Sequence, residues 1–227
     1  MHIEPGVVQG AKMLLSYATA AASLGFAAKL AVDAVKVVGL GALAVRTVLT
    51  TALVFCFFEV LPHFPVGVSE VHFILGTTLF LLFGVAATAL GLAGGLLLQG
   101  LLFAPADLPQ YAVNVTTLLV PLFAMAQVAK AIIPPATAYR DLQYGQVLQL
   151  SLAFQGGVVV WVAFWALYGQ GFGGENLAHV ASFGGAYLLV VALEPVVDLA
   201  VLAAAKGWSA VEKSPWLEAR LHRPAHS

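Results

Sequence analysis

The sequence predicts an all-α protein, polytopic in a membrane, with about seven transmembrane helices. Two observations carry this. Of 227 residues, 61% are hydrophobic and only 9% are charged, against roughly 25% charged in a typical soluble domain. Such a chain has too few polar groups to cover a soluble surface. In addition, its basic residues gather in alternate connections between apolar runs, the pattern that membrane insertion imposes.

The first run covers residues 7–28 and the second 36–60. Residues 72–103 are too long for one crossing and short for two: a single helix would measure about 48 Å at about 1.5 Å per residue, against a hydrocarbon core of about 30 Å. Gly84, Gly91 and the pair Gly94-Gly95 offer places to turn. The stretch therefore reads as a hairpin of short third and fourth helices. The fifth, sixth and seventh runs cover residues 112–133, 147–168 and 180–205. Residues 1–205 then form one transmembrane domain and 206–227 a polar tail.

With the hairpin, Lys29, Lys36, Lys130, Arg140, Lys206, Lys213, Arg220 and Arg223 all fall on one side. The opposite side holds the N-terminal tail and residues 61–71, 104–111 and 169–179. Those segments carry Glu4, Glu70, Asp107 and Glu175 but neither Lys nor Arg. The positive-inside rule places the N-terminus outside and the C-terminus in the cytoplasm of a multi-pass cell (inner) membrane protein.

Several functions are disfavoured. A net charge of −1 provides no basic field for nucleic acid. The single cysteine, Cys56, has no partner for a disulfide or a Cys-based zinc site; it reads as a small packing residue. Gly39-Leu40-Gly41-Ala42-Leu43-Ala44 echoes a dinucleotide loop but lies inside an apolar helix with no preceding strand. Asn114-Val115-Thr116 lies at a helix start, not on a glycosylated loop. With neither HExxH nor a Walker A loop, the chain is not expected to be an enzyme, and any ATP must be used by partners.

The chain begins Met1-His2-Ile3-Glu4-Pro5-Gly6, unlike a secretory signal, which starts basic and ends at small residues. Met1 is expected to be kept with its amine free. The terminal amine, the His2 amide and the His2 imidazole can wrap a divalent metal in fused five- and six-membered rings. Three in-plane nitrogens suit Ni²⁺ or Cu²⁺, and Co²⁺ less strictly. On the same side lies the loop of residues 61–73, "LPHFPVGVSEVHF". Pro62 and Pro65 stiffen it and Gly67 allows a turn. It offers His63 and His72, with His72 read as opening the third helix. A histidine from this loop would complete a four-nitrogen site.

These residues resemble the substrate-binding membrane component, of CbiM or NikM type, of energy-coupling factor cobalt and nickel transporters. That family begins Met-His-Ile before a short acidic, Gly-containing segment. It carries a Phe-Pro-Val, Gly- and Ser-containing loop ending in His, as Phe64-Pro65-Val66 through Ser69 to His72 does. "LLLQGLLF" around Gln99, "AVNVTTLLVP" around Asn114 and "ALEPVVD" around Glu194 extend the likeness over most of the membrane region. The resemblance implies that Met1, His2 and the histidine matched by His72 hold the metal, with Asn114 close by. It also implies a transmembrane coupling subunit and two ATPase subunits as partners. Two features depart from the family pattern: Glu70 adds a carboxylate two residues before the proposed ligand, and His63 adds an imidazole. Glu4 or Glu70 could balance the residual positive charge or serve as a fifth ligand, which would favour Co²⁺ or Zn²⁺ over planar Ni²⁺.

Two further readings come from the residues. Arg46 and Glu194 are counted to nearly one depth, so an ion pair between them is expected, with Asp198 one turn away and Pro195 kinking the last helix. Lys12 is expected near Glu59. In the first run, Ala18 and Ala22, then Ala27 and Ala31, follow small-xxx-small spacing. This suits internal packing, and the resemblance adds docking on the coupling subunit. The leading function is capture of cobalt or nickel for ATP-driven uptake. The alternative is a membrane metal-binding or assembly protein without transport of its own. An ion-coupled carrier using Arg46 and Glu194 would be expected to show an internal inverted repeat, and the chain has none apparent.

Overall fold

The computed structural model describes residues 3–207 and 216–221. Met1, His2 and most of the tail, with His222 and His226, lie outside them. Among the described residues there are seven α-helices: α1 Met13–Val38, α2 Leu40–Glu59, α3 Gly76–Phe83, α4 Val85–Leu102, α5 Tyr111–Ile132, α6 Tyr144–Gln170 and α7 Gly174–Gly207. A hairpin of two short strands, β1 Phe64–Val66 and β2 Ser69–Val71, stands between α2 and α3. Among the described residues, five segments are long and apolar enough to cross a membrane: α2, α4, α5 with the 3-10 turn before it, α6 and α7. This is a multi-pass membrane protein. Helix α3 has only eight residues, so it falls outside that set. So does α1, which mixes Ser, Thr, Tyr and Gly through its first half and ends in Lys29, Asp33 and Lys36.

Glycines make the sharp corners. Gly39 (φ +82°) joins α1 to α2, and Gly84 (φ +82°) joins α3 to α4, a backbone conformation that L side chains resist. The first corner corrects the expected connection over residues 29–36. Those residues continue α1, because Asp33 pairs with Lys29 at 2.8 Å and with Lys36 at 3.2 Å along the helix surface. Gly91, Gly94 and Gly95 do not turn the chain. They lie within α4 against Thr50, Thr51 and Val54 of α2, where the missing side chains let two helices approach closely. Cys56 is exposed on α2 and does not pack in the core.

His72 does not open a helix. β2 ends at Val71 and α3 begins at Gly76, so His72 lies in a four-residue connector closed by Leu75 in the left-handed region (φ 52°). The hairpin turns at Gly67-Val68 with Gly67 at φ +64°, a glycine at the first position of a two-residue loop. A Cβ there would run into the carbonyl of His179 on α7, so the turn tip lies against that helix.

Candidate metal site

The N-terminal segment folds back onto the hairpin. Ile3 forms an antiparallel bridge with Ser69, and the Glu4 N–H donates to the Val68 carbonyl at 3.1 Å. The Ile3 N–H donates to Oδ1 of Asn114 at 2.8 Å. Asn114 stands near the start of α5 and is buried. Its Nδ2 has no acceptor among the described residues. Pro5 and Gly6 then turn the chain, with the Val7 N–H donating to the Glu4 carbonyl at 3.1 Å. Ile3, Val7 and Val8 are all buried. Gln110 donates to the Val8 carbonyl at 2.9 Å, and Lys12 donates to the Gly169 carbonyl at 2.8 Å. The expected contact of Lys12 with Glu59 is replaced by this one. The opening residues are thus tied to β2, to α5 and to the end of α6.

His72 is 1% exposed. Its Nε2 lies 2.8 Å from Oε2 of Glu70, because residues two apart on an extended chain share a face. The His63 ring stacks on it, with centroids 5.0 Å apart and planes at 16°. This stack continues the β1–β2 register, in which Phe64 faces Val71: the next pair outward is His63 with His72. Phe58 of α2 packs against the same imidazole at 5.2 Å. Ser69 is fully buried. Of the expected residues, Glu70 contacts His72 directly, whereas Ser69 and Asn114 are each tied to Ile3. Partial burial raises the Glu4 pKa above the usual carboxylate range, and the charges of Glu70 and Asp107 raise it further. Carboxylates at this end are near enough to repel, a field that draws cations. Among the described residues, no group of three or more His, Cys, Asp or Glu side chains is arranged to hold a metal ion.

Below His72 the structure corrects the expected ion pair. Glu194, fully buried on α7, accepts the backbone N–H groups of Ile74 and Leu75, the latter at 3.0 Å. It also accepts the side-chain amide of Gln155, whose Oε1 in turn accepts the Tyr187 hydroxyl at 2.6 Å. Asp198 accepts the Thr78 hydroxyl. Arg46 instead meets Glu218 at 3.0 Å and the Leu217 carbonyl. The two residues lie at different depths. Helix α2 begins at Leu40 and α7 runs on to Gly207, so Arg46 lies about 9 Å from its helix end and Glu194 about 20 Å from its own. Pro195 lies inside α7 without ending it.

Sequence reasoning missed the Glu194 clamp and the β-hairpin. The hairpin had a signal: apolar alternation on either side of Gly67. The clamp had none, because it uses backbone donors that every residue carries.

Together these features define a helical, multi-pass membrane protein with a polar, histidine-containing site folded into one end of the bundle. The chain belongs to the CbiM family: the family model described as cobalt uptake substrate-specific transmembrane region matches residues 2–209. No curated protein and no solved structure matches it significantly. The protein is thus a transporter membrane component of the cobalt uptake type, as the resemblance implied.

Proposed function

We propose that the protein captures Co²⁺ or Ni²⁺ at the outer face of the cell membrane as the substrate-binding component of an energy-coupling factor ABC importer. A transmembrane coupling subunit and two ATPase subunits would supply the energy. The observation that carries this reading is the tether of Ile3 to Ser69 and Asn114. This bond pattern sets Ile3, the residue that follows His2 in sequence, beside the strand that leads into His72. The Met1 amine, the His2 amide and imidazole, and the His72 imidazole make a four-nitrogen set. Metal binding then displaces the amide proton, and Glu4 and Glu70 offset the remaining positive charge. A planar nitrogen set favours Ni²⁺, and a carboxylate as fifth ligand favours Co²⁺.

The test is calorimetric titration with each metal, on wild type and on His2→Ala. The substitution removes the imidazole, and with it the six-membered chelate ring, without touching Ile3. Binding is expected to weaken by at least a factor of ten, about 1.4 kcal/mol, while the helical circular dichroism is kept. Unchanged affinity in His2→Ala would refute the amine–amide–imidazole site. Metal binding without uptake, in cells supplied with coupling and ATPase subunits, would instead favour a metal-binding protein without transport.

A further inference from the structure

We infer that Gln110 is a positioning residue for the site: it clips residues 3–8 onto the start of α5, and the metal leaves only as fast as that clip opens. This rests on the capture reading above, in which three metal-binding nitrogens precede Ile3 in the chain and the fourth follows β2. The docked segment is what joins those two halves, because Ile3 bridges the strand that leads into His72. Gln110 ends the 3-10 turn before α5 and is 5% exposed. Asn114 stands about one helical turn further on. Oδ1 of Asn114 accepts the Ile3 N–H at 2.8 Å, and Nε2 of Gln110 donates to the Val8 carbonyl at 2.9 Å. The two amides grip the segment on either side of its turn at residues 5–6, one by an N–H and the other by a C=O. A carbonyl only accepts, so Val8 fixes which way round the Gln110 amide lies. Oε1 of Gln110 has no donor among the described residues, so the bond this side chain makes there is the one to Val8.

Helix α6 presses on the same segment from another side. A Cβ on Gly169 would lie 2.0 Å from the Val7 carbonyl oxygen and 3.3 Å from Cγ2 of Val8, so the chain passes where only a glycine leaves room. Ile3, Val7 and Val8 are buried and leave the packed interior when the segment lifts. Without the Gln110 donor the Val8 carbonyl is buried unpaired, a cost that lifting the segment into water relieves. Once lifted, the nitrogens before Ile3 and the His72 imidazole no longer hold one ion together. Either half alone binds more weakly than the two joined. Undocking is therefore the step that releases the metal, and Gln110 sets how often it occurs.

The test pairs two measurements on the full chain in detergent. One is hydrogen exchange at the Ile3 and Glu4 amides without metal. The other is the rate at which EDTA strips Ni²⁺ from the loaded protein. Gln110→Met keeps length and bulk but loses the donor; it is expected to speed both by at least about fivefold. The visible spectrum of bound Ni²⁺ should stay the same, because the ligands do. Exchange at Leu118 and Val158, inside α5 and α6, should also stay the same. Gly169→Ala leaves Gln110 intact and pushes the segment off from α6; it is expected to act in the same way, and it carries the test of undocking if Gln110→Met does not fold. Unchanged exchange or unchanged stripping in Gln110→Met overturns the inference. Exchange raised equally throughout α5 and α6 does so too, since Gln110 would then only stabilise the fold. An altered Ni²⁺ spectrum would make Gln110 a ligand and overturn its positioning role. Wild type that binds no metal refutes the capture reading and any part of Gln110 in release, while exchange in the metal-free chain still decides whether Gln110 clips the segment.

Discussion

Glu194 has no exposed surface and holds the chain just beyond His72 through two backbone amides. Removing it strands those two donors and the Gln155 amide in the bundle interior, each costing about 1–3 kcal/mol when unsatisfied. Glu194→Ala is therefore expected to lower the thermal unfolding temperature in detergent and to weaken metal binding, since His72 lies only two residues before Ile74. Glu194→Gln keeps one carbonyl acceptor and is expected to lose less of both. Equal losses in the two variants would mean that the clamp does not depend on its acceptors. The two loop histidines should also differ. His72→Ala is expected to weaken binding at least tenfold, about 1.4 kcal/mol. His63→Ala, which removes only a stacking ring, should cost much less. Metal titration of both at one pH checks this, and a larger loss for His63→Ala would move the ligand to His63. Motif position points to His72 and Asn114, whereas Glu70 stands out as a departure from that motif. Their connections were less so. The Glu70–His72 contact needs β2 to be extended, and "His72 opens a helix" hid it.

Among the helices, the second and fourth pack through small residues where the chain had suggested turns. A Cβ on Gly95 would lie 2.6 Å from Cγ1 of Val54, far inside van der Waals contact. Gly95→Ala is expected to destabilise by about 1–3 kcal/mol, the usual cost of overpacking. Gly156→Ala, where nothing lies within 4 Å of the added carbon, should have little effect; thermal unfolding of the pair checks this. Helix boundaries were legible to within a few residues from α2 to α6, because apolar runs bounded by charge or glycine leave few choices. α1 was not: its ten extra residues carry charges that read as a loop and are in fact nearly three more helical turns, with Lys29 and Lys36 exposed and Leu30, Ala31, Ala34 and Val35 packed against the core. The same misreading produced the wrong partner for Arg46. With Arg46 buried beside Glu218, and the Glu218 N–H donating to the Leu82 carbonyl at 2.6 Å, the segment around Glu218 fastens the α3–α4 corner to α2. A double-mutant cycle on Arg46→Ala and Glu218→Ala should show coupling of about 1–3 kcal/mol. The cycle on Arg46→Ala and Glu194→Ala should be additive to within about 0.5 kcal/mol. The reverse pattern would restore the ion pair read from depth.

Across the whole molecule, the contacts sort the connections into two ends. Arg46 meets Glu218, Lys206 donates to the Leu142 carbonyl, and Arg220 donates to the Pro134 carbonyl and lies over the Tyr139 ring. One end thus gathers the α1–α2, α3–α4 and α5–α6 corners with the end of α7. The other end gathers Ile3, the hairpin, Gln110 and the α6–α7 turn through the bonds to Asn114, Val8 and Gly169. This grouping is the one the charges implied, and it was legible because basic residues resist transfer across a membrane. Lys12 is the exception at the acidic end, and its ammonium is spent on the Gly169 carbonyl. We propose from the same asymmetry which end faces out: six basic residues, Lys29, Lys36, Lys130, Arg140, Lys206 and Arg220, stand at the first end among the described residues, the cytoplasmic one by the positive-inside rule. The check uses cysteine labelling. In a Cys56→Ser background, Glu175→Cys and Asp141→Cys each place a thiol at an exposed position at opposite ends. A membrane-impermeant maleimide applied to intact cells is expected to label the variant at 175. The variant at 141 should react only after the membrane is opened. Labelling of 141 and not 175 in intact cells would turn the molecule over. The histidine hairpin would then face the cytoplasm, and capture of metal from outside would be impossible at this site.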